Sequence, residues 1–230
     1  FGLYPSIKID GFTAVSINRQ IETNFDELCD VMRIVLISGA RQCGKTTLMR
    51  HKLTSEDIFL TMDDNDTLMQ AMSEPEAFIR YYTQRYKRIA IDEIQKAPQL
   101  LGQVKFYVDQ HPQVGRFLLS GSANFRSLPT VNESMAGRLA EVRLRPMTQA
   151  EIAGKDNSFI DELISENYAR DHFTVEECSK LTVLQKCLQG GYPELLNKSS
   201  RSRSIWYQAY LKAILERDLQ DIGNKKKKET

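Results

Sequence analysis

Gly39-Ala40-Arg41-Gln42-Cys43-Gly44-Lys45-Thr46 joins a run of apolar, strand-forming residues to a stretch that reads as a helix. The order of residue types is that of a phosphate-binding loop, G-x-x-x-x-G-K-[ST]. Its glycines let the backbone wrap until successive N–H groups point inward, and the helix that follows adds unpaired N–H groups at its positive end. Lys45 is expected to reach the outer phosphates of a nucleoside triphosphate and the Thr46 hydroxyl to hold Mg²⁺, with Thr47 completing the binding set. The bland alternative is an ordinary strand-to-helix turn. By average residue usage the pattern arises in on the order of one chain in a hundred of this length, and here it also falls at the junction where it is needed.

A phosphate loop calls for a second site, an apolar strand that ends in an aspartate. "RIAIDEIQ" (88–95) supplies it. Asp92 is expected to help hold Mg²⁺, and Glu93 beside it to polarise an attacking water as a general base. A polar group between that water and the last phosphate is expected at the end of a neighbouring strand. "FLLSGSANF" (117–125) offers Ser120, Ser122 and Asn124. Ser122 and Asn124 are favoured, although any of the three would also serve as a helix cap.

The elements that must position these residues follow from apolar spacing. Ile17, Ile21, Phe25 and Leu28 predict an amphipathic helix over 16–31, and further helices are read over 75–87 and 98–111. Short apolar runs predict strands over 33–38, 57–64, 87–94, 115–122 and 137–144. Strands alternating with helices imply an α/β fold, a parallel sheet covered on both faces. After Pro146 the texture changes, and residues 147–222 read as almost wholly helical with a break at "QGGYPELL". The expected division is a nucleotide-binding core over 1–146 and a helical lid with the start of a further domain over 147–230.

Composition sets the outer bounds. A chain of 230 residues with 41% apolar and 27% charged residues is that of an ordinary soluble protein of one or two domains. A net charge of +1 gives no overall basic field for nucleic acid. The longest apolar runs are strand-length, so no membrane span is expected, and the start lacks the pattern of a secretory leader. Cys29, Cys43, Cys178 and Cys187 show no metal-ligand spacing, and His51, His111 and His172 are scattered. Reduced thiols and a cytoplasmic location are expected. The absence of an initiating methionine, together with an end on "KKKKET", reads as a truncated chain. The lysine run itself reads as a solvated tail.

The order of "GARQCGKTT", "IFLTMDD", "IAIDEIQ", "LLSGSAN", "SMAGRLAEVRLRPMTQAE", "GGYPE" and "ERDL" resembles that of predicted AAA+ ATPases of bacteria and archaea. In these an AAA-type core precedes a domain of unknown function, number 4143. The similarity runs from about Asn18 to Ile222 and implies ATP binding and hydrolysis on a five-stranded parallel P-loop sheet with a helical lid. It also implies a region beyond Thr230 that engages nucleic acid or a protein client. Arg138, in "AGR", looks like the family's arginine after the fourth strand. It would steady transition-state charge in cis or across a homo-oligomer interface, or else form an ordinary salt bridge with the "DD" or "DE" acids. Arg217, in "ERDL", would be a second sensor or a packing ion pair. Trp206, Tyr207 and Tyr210 fall at helical spacing and read as core rather than a stacking platform.

Cys43 departs from the small aliphatic residue usual before Gly44. Next to Lys45 and a helix start it is expected either to be a reactive, low-pKa thiol or to point into the core. The leading functional reading is a Mg²⁺-dependent ATPase that drives a conformational change in an attached region. The alternative is a nucleotide-gated binding module that does not hydrolyse, against which Glu93 speaks. A small-molecule kinase would want a lid dense in arginines.

Overall fold

The computed structural model describes residues 6–9, 12–15, 18–122, 135–155 and 179–228. The chain divides into two compact units, Phe1–Asn167 and Tyr168–Thr230. The first opens with an antiparallel pair, β1 (Ser6–Ile9) and β2 (Phe12–Val15), with Ile9 opposite Phe12. Sequence reading missed this hairpin, although Asp10-Gly11 between two alternating runs is a strong hairpin signal. Then come α1 (Glu22–Val31), β3 (Ile34–Gly39), α2 (Lys45–His51), β4 (Ile58–Thr61), α3 (Asn65–Ser73) and α4 (Pro75–Thr83). After these follow β5 (Ile89–Asp92), a 3₁₀ turn at Ile94–Lys96, α5 (Leu100–Gln110), β6 (Phe117–Ser122), β7 (Leu139–Leu144) and α6 (Gln149–Ile152).

The five strands from β3 to β7 form one parallel sheet in the order β4-β5-β6-β3-β7. Strand side chains alternate between faces, and each face has its own core. Ile34, Leu36, Ile89, Ile91, Phe117 and Leu119 pack on one side with Phe78 and Ile79 of α4 and Leu100, Val104 and Val108 of α5. On the other, Val35, Ile37, Ala90, Leu118, Val142 and Leu144 pack with Phe25 of α1 and Leu48 and Met49 of α2. All six residues of β3 are buried, which is why it reads as an unbroken apolar run. Each Ile or Phe so enclosed contributes about 1.5–3 kcal/mol relative to exposure.

The expected α/β P-loop sheet is therefore present, with differences at element ends. Helix α1 starts at Glu22 rather than 16, because the preceding backbone is engaged elsewhere. The Arg19 N–H donates to Glu22 Oε1 (2.9 Å), and the Gln20 N–H to Glu151 Oε1 (2.9 Å). Strand β4 stops at Thr61, and the second of the two acids that follow caps a helix the sequence reading overlooked. Asp64 caps α3 by accepting from the Thr67 N–H (2.9 Å). Residues 98–111 give a shorter helix beginning at Leu100, preceded by the 3₁₀ turn.

The second unit contains α7 (Lys180–Gln189), a 3₁₀ turn at Pro193–Leu195 and the long α8 (Ser200–Lys228). The break between the helices falls in "GGYPE", as the sequence suggests. Trp206 and Tyr210 stack on one another (4.8 Å between centroids), and Tyr192 packs against both. Tyr207 donates to the Gln189 carbonyl (3.4 Å). The aromatics thus hold α8 to the segment that follows α7.

Candidate functional site

Strands β3, β5 and β6 end side by side, the place where open parallel sheets bind ligands. Because β6 lies between β3 and β5, Ser120 stands beside Ile37 on one side, and on the other Leu119 is level with Ile91. That register puts Ser120 next to Asp92.

The loop after β3 turns through three residues with positive φ: Gly39 (154°), Gln42 (60°) and Gly44 (101°). Glycine is required at position 39 for a second reason. A Cβ there would overlap the Leu144 carbonyl at the end of β7. Lys45, 6% exposed, folds its ammonium back into the loop, donating to the carbonyls of Gly39 (3.2 Å) and Ala40 (2.8 Å). Neither partner carries charge. Arg41, Gln42, Thr46 and Thr47 lie on the exposed side of the loop.

Across from it, Asp92 is 4% exposed and satisfied by neutral donors: the Thr46 hydroxyl to Oδ2 (2.7 Å), the Glu93 N–H to Oδ1 (3.2 Å) and the Ser120 hydroxyl to Oδ1. Glu93 adopts a left-handed backbone (φ 55°) that ends β5, and Gln95 Nε2 donates to its Oε2. Gln95 Oε1 is buried without a hydrogen-bond partner among the described residues. Gln42 and Glu93 are the non-glycine residues with positive φ among those described, and both are in this site. Backbone strain of this kind collects where a ligand or reaction demands a particular geometry.

The structure thus brings together Gly39, Ala40, Lys45, Thr46, Asp92 and Glu93, with Ser120 as the polar residue at Asp92. Ser122 ends β6 beside Gly39 by backbone register. Asn124 lies outside the described residues, as do the side chain of Arg217 and the whole of Cys178.

Two expectations change. Arg138 precedes β7, and its carbonyl accepts from the Ile34 N–H (3.0 Å) at the start of β3. It is therefore at the opposite end of the sheet, on the order of 17 Å from Gly39 by five strand rises. A role at its own chain's loop is excluded by that distance. Its partner is Asp109 of α5, bound through Nε and through Nη2 (3.1 Å), not the acids after β4 or β5. Cys43 is fully buried, with its thiol aimed at the Leu144 carbonyl (3.5 Å). Burial pushes the thiol's pKa up, and the nearby Lys45 and Arg19 charges only partly oppose this. The reactive-thiolate reading fails, and Cys43 is a core residue of the loop.

Sequence reading also missed Arg19 and Glu151. Their side chains pair (3.0 Å) behind the loop at 10% and 4% exposure. The one available signal was the capping pattern Thr148-x-x-Glu151, which puts Glu151 at a helix start but does not foretell its partner.

A family model described as an AAA domain matches residues 31–153, more than half of the chain and all five strands of the parallel sheet with the loop after β3. The chain belongs to the AAA domain family. Family membership and the loop geometry together support nucleotide binding. Residues 180–230 of this AAA protein match a domain of unknown function, DUF8612, in place of the number 4143 that motif order suggested. Two curated relatives are uncharacterized proteins, Mb2031c of Mycobacterium bovis and Rv2008c of Mycobacterium tuberculosis. Each is 28% identical over 191 residues, 83% of this chain and 37% of theirs. The chain thus spans little more than a third of the length of those relatives. Among solved structures, the FIGL-1 AAA domain in complex with ADP is 16% identical with a TM-score of 0.40, covering 60% of each chain. A DNA replication initiation factor is 15% identical with a TM-score of 0.43, covering 87% of this chain and 62% of the other. No described helix of the AAA protein is long and apolar enough to cross a membrane.

Proposed function

We propose that this AAA domain binds and hydrolyses ATP with Mg²⁺, and that the cycle drives a conformational change in an attached region that engages a protein or nucleic-acid client. The observation that carries the reading is the pairing of two buried charges with neutral partners. An ammonium, Lys45, and a carboxylate, Asp92, are both almost fully enclosed at the end of one sheet, and among the described residues neither is bound to an opposite charge. Burying a charge without a counter-charge is costly. A polyphosphate and a metal ion are the counter-charges that would offset it.

The oxygens at hand fit the metal. Thr46 Oγ1 and Asp92 Oδ2 lie 2.7 Å apart, and hydroxyl and carboxylate oxygens are the hard donors Mg²⁺ prefers. Held there by Thr46 and Asp92, Mg²⁺ would neutralise charge on the phosphates. Lys45 would exchange its two loop carbonyls for oxygens of the outer phosphates. Glu93 would take the proton from water as its oxygen bonds to the terminal phosphorus and the bond to the bridging oxygen breaks, giving ADP and phosphate. Ser120 would keep Asp92 in place.

Phosphate release with ATP and with GTP tests the reading. Glu93→Gln should keep nucleotide binding and lose roughly 10²-fold in turnover, the scale of a general base. Equal turnover in the two proteins would remove Glu93 from the mechanism. Binding without turnover in the wild type would favour a nucleotide-gated module instead.

A further inference from the structure

The partly buried guanidinium of Arg19 bridges three segments that are far apart in sequence. Its Nε donates to Glu151 Oε1 (3.0 Å), Nη1 to the Cys43 carbonyl (3.1 Å) and Nη2 to the Arg145 carbonyl (2.6 Å). Glu151 is itself fixed: its Oε2 accepts from the Thr148 N–H (2.7 Å), its own N–H donates to Thr148 Oγ1 (3.1 Å), and its Oε1 also accepts from the Gln20 N–H (2.9 Å). One planar cation therefore ties the strap before α1, the segment after β7 and the middle of the phosphate loop. Lysine, a point charge on a flexible stem, cannot offer that fixed fork.

The contact with Cys43 has a consequence for the loop. A trans peptide is planar, and its C=O and N–H point in opposite directions. Gripping the Cys43 carbonyl from behind therefore aims the Gly44 N–H away from Arg19, toward the other side of the loop. Gly44 itself has φ 101°, a conformation glycine adopts freely and therefore does not hold unaided. Something outside the glycine must set that peptide, and Arg19 is in contact with it.

We infer that Arg19, locked by Glu151, is a positioning residue for the phosphate loop, and that it orients the Cys43–Gly44 peptide so that the Gly44 N–H serves a nucleotide phosphate. The inference rests on the nucleotide-binding reading above. It assigns to the pair a share of ground-state phosphate affinity, not of the chemical step.

Simple truncation of Arg19 would strand the buried Glu151 and risk unfolding. Two gentler changes avoid this. Arg19→Lys keeps the charge beside Glu151, and Arg19→Met combined with Glu151→Gln replaces the pair by neutral groups of similar size, the amide oxygen remaining as an acceptor for one of the two N–H groups that Glu151 serves. Thermal midpoint, the dissociation constant for Mg·ATP, KM and kcat would be measured for both, with wild type and Lys45→Ala alongside. Dissociation constant and KM should rise about tenfold in each Arg19 variant, the scale of one hydrogen bond to a charged group, with kcat nearly unchanged. A purely structural role would act differently, lowering the folded fraction and hence kcat per chain while leaving KM alone. Unchanged affinity in the Arg19 variants, with binding lost in Lys45→Ala, would overturn this inference and leave the proposed function standing. A wild-type protein that binds no nucleotide would overturn both.

Discussion

At the start of β3 and β7, Arg33 and Arg138 both approach Asp109 (3.9 Å for Arg33), and side chains about one-third exposed close their charges within the chain. At the far ends of β3 and β5, Lys45 and Asp92 are enclosed and held by carbonyls, hydroxyls and an amide. The same sheet thus carries charge in two ways. Where opposite charges meet near the surface, they contribute little beyond local order. Where charges are buried without a partner of opposite sign among the described residues, the proposed function supplies the counter-charge from outside. Behind the loop, the largely enclosed Arg19–Glu151 pair is charge-matched, which suits a fixed support rather than a ligand contact.

Changes at the two ends should separate accordingly. Ser120 is fully buried and touches no exposed surface, yet its hydroxyl donates to the carboxylate expected to hold the metal. Ser120→Ala should reduce Mg²⁺ affinity or Mg·ATP turnover by about 10–100-fold, as loss of an outer partner of a metal ligand does. Magnesium titration of the turnover rate measures this. A variant indistinguishable from wild type would remove Ser120 from the support of the metal site.

The opposite end should show a smaller effect of another kind. Arg138→Ala should leave both Mg·ATP affinity and turnover unchanged. A turnover that falls, and recovers on mixing with Glu93→Gln, would instead give Arg138 a role across an interface between two copies. In stability the pair should be visible through pH. The Arg138 hydrogen bond holds Asp109 below its ordinary carboxylate value of 3.8. Its contribution is therefore present above that value and lost as pH falls through the lower folded value. Wild type and Arg138→Ala should differ in thermal midpoint near neutral pH and converge in acid. A difference that persists in acid would mean that the arginine acts by packing alone.

Much of this was legible in the sequence, for identifiable reasons. Strands buried on both faces announce themselves as apolar runs, and the loop and "DEIQ" lie on local spacing that backbone geometry enforces. The overlooked elements had local signals too: Asp10-Gly11 for the β1–β2 hairpin and the Asp64 cap for α3. Other features had none. Arg19 meets Glu151 across 132 positions, and nothing near either residue names the other. The contact of Ser120 with Asp92 depends on strand order, which sets β6 between β3 and β5. Cys43 was ambiguous because its neighbours in sequence are polar while its neighbours in space, Val35, Leu48 and Leu144 among them, are apolar.

The central claim is that the end of the sheet bearing Lys45 and Asp92 is an anion and metal site. Equilibrium titration of the wild-type protein and of Lys45→Ala with Mg·ATP tests it most directly. Saturable one-to-one binding to the wild type, undetectable in Lys45→Ala while its thermal midpoint without nucleotide is retained, is the predicted result. Equal affinity in the two proteins, or no binding to the wild type, would contradict it.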